Sequence, residues 1–264
     1  MWGTFPAMRT LSRINVSPVK GMALHHPGEV ELGPAGISEN RRFYLVDEWD
    51  ELFSAPTHGP LVRIRPDHDP GARRLRLTFP DGLEVSGGTD ALGAAVVTDF
   101  YGRPVPAHEV LGPFSEAISA YVGKPVRLLR CDRDGDGVDV NPLTLVSEAS
   151  VQDLASRGTR TEPLDSRRFR INLELAGCEP YDEDSWDGRP IRIGDATLRI
   201  DGQIPRCVLT TLSPETGLKD WDTLTQIAKY RPQIAGRGGL PFGVYAQVET
   251  PGRVRLGDAV TPSA

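Results

Sequence analysis

Cysteine is scarce in this chain: three in 264 residues, at positions 131, 178 and 207, with no CxxC pair among them. An odd number at wide spacing argues against a disulfide framework and suits a reducing compartment. Without clustered cysteines, no iron–sulfur or structural zinc site is expected. Long apolar runs are missing too: none approaches the ~20 residues that span a bilayer, and the N-terminus lacks a signal-peptide core. These absences predict a cytoplasmic protein that does not enter the membrane. Positive charge is not in excess either. The formal net charge of −6 has the wrong sign for a general nucleic-acid binder, although it leaves room for a local basic pocket around one anionic ligand.

What is present is glycine (28) and proline (23), scattered among short β-prone runs. Such residues punctuate turns. Strands are expected at 11–16, 29–32, 42–47, 61–65, 74–79 and 126–130, and again at 168–175, 191–193, 197–200, 242–248 and 254–256. The pattern changes near 99–103. A helix is expected over 113–122, where Phe114, Ile118 and Tyr121 share a face and Gly123 follows as its stop. Ser147 can cap a second helix over 148–155, and a third covers 222–230 with Leu224, Ile227 and Ala228 inward. Residues 132–137 imitate the opening of a calcium loop, but Leu143 stands where a bidentate Glu is required, so they read as a solvated turn. The fold class is mainly β with a few helices, in two barrel-like halves.

The most informative stretch is Ile204-Pro205-Arg206-Cys207. Proline stiffens the approach to the thiol, and a neighbouring arginine favours the thiolate that binds soft metals. A lone cysteine is nevertheless more often a small buried hydrophobe. In the expected strand 168–175, Arg170 and Asn172 lie two apart and share one face, with Phe169 and Ile171 opposite. Asp184 and Trp186 either wall a pocket or fill the core. Cys131 and Cys178 read as structural, and the histidines lack zinc-ligand spacing.

Several motifs combine with that cysteine: Val16-Ser17-Pro18-Val19-Lys20, Asn40-Arg41-Arg42-Phe43, Leu145-Val146-Ser147-Glu148-Ala149-Ser150, Arg168-Phe169-Arg170-Ile171-Asn172 and Glu183-Asp184-Ser185-Trp186. Their order resembles the MOSC family, named after the C-terminal region of molybdenum cofactor sulfurases, and within it the two-domain amidoxime-reducing proteins. The resemblance implies an N-terminal β-barrel domain over 8–110 and a MOSC domain over 111–264, opened by a helical connector. It implies a molybdenum cofactor (Mo-molybdopterin) held by Lys20, Arg42, Ser147, Ser150, Arg170, Asn172 and Arg206, with Cys207 as metal ligand and catalytic residue. It also implies reduction of N-hydroxylated substrates. With no flavin or iron–sulfur motif in the chain, the electrons are expected from an external donor protein. The alternative is a carrier of the cofactor, or of persulfide sulfur, without turnover. Three positions depart from the family pattern: Gly21 after the lysine, Pro205 two before the cysteine, and Ser54-Ala55-Pro56.

Overall fold

The computed structural model describes residues 8–158, 160–236 and 238–263. Strands dominate, with three short α-helices among the described residues. The largest sheet has seven strands, in the spatial order Thr10–Ile14, Leu173–Ala176, Leu143–Ser147, Leu240–Thr250, Ala196–Arg206, Pro190–Ile193 and Val260–Pro262. Its two edges meet. Leu11 N–H donates to Asp258 O (2.9 Å), Gly257 N–H to Leu11 O (2.8 Å) and Val260 N–H to Arg9 O (2.8 Å). The sheet is therefore a nearly closed barrel, which leaves little unpaired edge. Leu11, Leu145, Leu173, Leu198 and Val244 belong to its core, and so does Trp186.

Within the barrel, Leu143–Ser147 and Leu173–Ala176 run parallel, so the chain must cross over between them. Helix α2 (Glu148–Arg157) opens that crossing, and α1 (Phe114–Val122) precedes it in the chain. In the first half, a five-stranded antiparallel sheet orders Leu52–Phe53, Phe43–Val46, Arg127–Cys131, Arg103–Val110 and Leu92–Phe100. Alternation along Phe43–Val46 feeds two cores. Phe43 and Leu45 pack with Leu75, Leu77 and Phe114, whereas Tyr44 and Val46 pack with Val96, Phe100 and Leu129. Sheet membership does not follow residue 110. Thr10–Ile14 is a barrel strand, and Arg127–Cys131 joins the first-half sheet.

Several expected elements differ. Residues 61–65 are mostly a 3₁₀ turn, Gly59–Arg63, with proline in its first positions; proline's fixed φ and missing N–H favour the start of a helix. Residues 168–175 are not one strand. Asp165 caps a 3₁₀ turn (Ser166–Phe169), Arg170 is left-handed (φ 52°), and pairing begins only at Leu173. The chain leaves Cys207 as a 3₁₀ turn, Val208–Thr211. Helix α3 (Thr223–Ala228) is shorter than expected, and Ala228 faces solvent while Ile227 is buried. The change of pattern near 99–103 is the tip of a long hairpin joining Leu92–Phe100 to Arg103–Val110. No helix among the described residues is long and apolar enough to cross a membrane.

Candidate functional site

A cavity of about 610 Å³ lies in the seam between the first-half sheet and the barrel. Cys207 lines it and is exposed. The cysteine stands where the strand Ala196–Arg206 ends, in extended backbone, and its carbonyl accepts from Thr210 N–H (3.2 Å) and Thr210 Oγ1 (3.0 Å). Pro205 and Arg206 before it still pair with Pro241 and Leu240. The thiol is thus held at a corner between two hydrogen-bonded segments. Of the other two thiols, Cys131 is buried and Cys178 half-buried, and burial pushes both up to about 12. That fits a structural role for both.

Six cations line the same cavity: Lys20, Arg41, Arg103, Arg168, Arg170 and Arg206. Asp139 is the single carboxylate among the lining residues. Arg206 donates from Nε to Phe242 O (2.7 Å) and from Nη1 to Phe169 O (2.9 Å), with its guanidinium over the Phe169 ring. Its Nη2 is buried and has no partner, and the same is true of Arg168 Nε. Arg168 otherwise pairs with Asp220 (3.0 Å). Arg170 donates to Met22 O (2.8 Å). Burial draws the Arg170 guanidinium down to about 9 and Arg206 down to about 10. Buried donors left unmade are costly, so these groups favour an anion or acceptor arriving in the cavity.

The structure brings Cys207, Lys20, Arg170, Asn172 and Arg206 together. Arg170 and Asn172 share the cavity although they do not share a strand. Asn172 Oδ1 accepts from Thr144 Oγ1 (3.0 Å), and both side chains line the wall.

Three expected residues lie elsewhere. Arg42 opens onto a separate polar cleft with Glu39, His68 and Arg130, and pairs with Asp134 (3.1 Å). Its neighbour Arg41, left-handed at φ 56° just before the strand begins at Phe43, is the one that lines the cavity. Ser147 and Ser150 are fully buried at the start of α2. Ser147 Oγ accepts from Ser150 N–H (3.0 Å), and Ser150 Oγ donates to Glu183 Oε1 (2.8 Å). Neither serine lines the cavity: Ser147 caps α2, and Ser150 Oγ also accepts from Tyr181 N–H (2.8 Å), which ties the helix start to the segment around Glu183.

Asp184 pairs with Arg231, and Trp186 fills the barrel core. The carboxylates of the calcium-loop look-alike are spent on neighbours: Asp132 on His108, Asp134 on Arg42 and Asp136 on Arg133. Arg41, Arg103, Asp139 and Thr144 were not anticipated. Arg41 was within reach, since it adjoins Arg42 in the same motif. The other three depend on long-range placement.

The family model of the MOSC domain matches residues 132–261. The human mitochondrial amidoxime-reducing component 1 is 36% identical over 281 residues, covering 95% of this chain and 82% of that protein. Its mouse counterpart is 40% identical over 128 residues, covering 46% of this chain and 36% of that protein. The rice molybdenum cofactor sulfurase is 26% identical over 272 residues, spanning 90% of this chain and 32% of its own length. Among solved structures, the YuaD protein of Bacillus subtilis aligns over 97% of this chain and 95% of its own, at 11% identity and a TM-score of 0.45. The chain belongs to the MOSC family, in homology with the mitochondrial amidoxime-reducing components.

Proposed function

We propose that the cavity holds a molybdenum cofactor with the Cys207 sulfur as the protein's ligand to the metal. On this reading the chain reduces N-hydroxylated compounds, amidoximes and hydroxylamines, with electrons from an external donor protein. The observation that carries it is an exposed thiol facing a cavity with six cations and one carboxylate.

The residues fit such a group. Thiolate is the soft ligand molybdenum prefers. Arginine forks and a lysine point charge suit the phosphate of a pterin cofactor, and the unpartnered Arg206 Nη2 and Arg168 Nε are ready donors. Asn172, Thr144 and Asn40 offer amide and hydroxyl partners for a pterin edge. No group of three His, Cys, Asp or Glu side chains among the described residues is placed to hold a metal by itself. That suits a metal brought in by an organic cofactor and tied to the protein through one sulfur.

Bound there, the cofactor supplies the two-electron chemistry that, with two protons, turns a hydroxylamine into an amine and water. The protein's part is positioning. The Thr210 contacts fix the Cys207 backbone, and Arg206 is anchored between two carbonyls beside it. The exposure of Cys207 also suits a carrier that hands on sulfur or cofactor, and turnover separates the two readings. Protein made in a cofactor-producing host should reduce benzamidoxime with dithionite-reduced viologen, and Cys207→Ala should not. Equal turnover by the variant would overturn the ligand assignment.

A further inference from the structure

Three of the six cavity cations are spent on a single segment. Residues 132–142 link the strand Arg127–Cys131 to the barrel strand Leu143–Ser147 without helix or strand. Lys20 Nζ donates to Gly137 O (3.1 Å) and to Asp139 Oδ1 (2.5 Å), and Arg41 Nη1 donates to Asp139 Oδ2 (2.9 Å). Arg103 Nη2 donates to Asp136 O (2.9 Å) and Val138 O (2.5 Å). The segment lies flat on these groups: a Cβ on Gly137 would come within 1.9 Å of Arg41 O.

A carboxylate whose two oxygens bridge an ammonium and a guanidinium does what two oxygens of a phosphate would do at the same place. Lys20 is only 5% exposed, so its charge needs a partner at that depth. Burial draws Lys20 down to about 8, and Lys20 and Arg41, outweighing the burial of Asp139, hold that carboxyl at about 2. Both partners are charged at neutral pH.

We propose that Asp139 is a built-in counter-anion of the cavity. It holds Lys20 and Arg41 until a phosphate-bearing ligand takes over those two cations; the connecting segment then keeps its Arg103 contacts but loses those at Asp139 and loosens. The proposal rests on the reading that the cavity accepts such a ligand, and it makes Asp139 the residue that sets the affinity for the ligand's anionic end. Removing the carboxylate takes away a like charge and also leaves two cations without their anion. Both effects strengthen phosphate binding.

The test titrates inorganic phosphate into the full chain, expressed without the cofactor, and into Asp139→Asn. The expected result is binding about tenfold tighter, or more, in the variant. In the wild type, phosphate should also speed tryptic cleavage after Arg133, whose side chain is 76% exposed on the connecting segment. Equal or weaker binding in Asp139→Asn overturns the proposal, as does no phosphate binding by either chain. Should that variant fail to fold, the wild-type cleavage rate decides, and a rate indifferent to phosphate overturns it. These readouts need no metal. A wild type that never acquires molybdenum would refute the proposed function and leave them untouched.

Discussion

Arg206 commits two donors to backbone carbonyls and keeps a third buried without a partner, on the residue preceding the exposed thiol. A group held this firmly recognises whatever enters without first having to be ordered. Arg41 is similarly fixed, because its left-handed backbone turns the side chain into the cavity while Arg42 goes to another cleft. Arg41→Ala should therefore lower molybdenum content per chain several-fold, and Arg42→Ala should leave it near the wild-type value. Metal analysis of the two purified variants checks this, and the reverse order would return the role to Arg42. Lys20 sets a pH limit. Its folded pKa of about 8 lies below the ordinary value of 10.5, so the cavity loses a positive charge as pH rises through about 8. Affinity for sulfate, whose own charge is constant there, should fall across that window. A flat profile would contradict it. The same depression means that the folded chain binds fewer protons than the unfolded one between 8 and 10.5. Lys20 therefore costs stability at neutral pH, and that cost is relieved as pH rises through the window.

Elements with strong local signals are legible in the sequence. Gly123 ends α1 in the left-handed conformation (φ 70°), and Ser147 caps α2, each as the residue type dictates. The stretch 168–175 has the alternation of one strand, but that alternation serves two cores. Phe169 and Ile171 pack with Phe242 and Val151, while Leu173 and Leu175 enter the barrel. Arg170 and Asn172 still reached the cavity, through a turn in place of a strand. The α2 cap gives a direct check. Ser147→Ala should cost about 1 kcal/mol of stability, typical of a lost N-cap, while molybdenum content stays unchanged. A loss of metal at preserved stability would bring Ser147 back as a cofactor residue.

For the whole molecule, composition and the order of motifs conveyed the β-rich class, but not how distant segments meet. Thr10–Ile14 pairs with Leu173–Ala176 and closes the barrel against residues 257–260, and no local pattern announces partners so far apart in the chain. The cavity has the same character. Lys20 and Arg41, Arg103 on the long hairpin, Asp139 on the connecting segment, and Arg170, Arg206 and Cys207 in the barrel half converge only when both halves are folded. Arg103 and Asp139 stayed hidden for that reason, whereas Cys207 stood out through its own motif. The most direct test of the account is molybdenum content per chain, in protein expressed where the cofactor is made. Near-stoichiometric metal is expected in the wild type, with its loss in a folded Cys207→Ala. A folded wild type without molybdenum, or a Cys207→Ala that keeps it, would contradict the account.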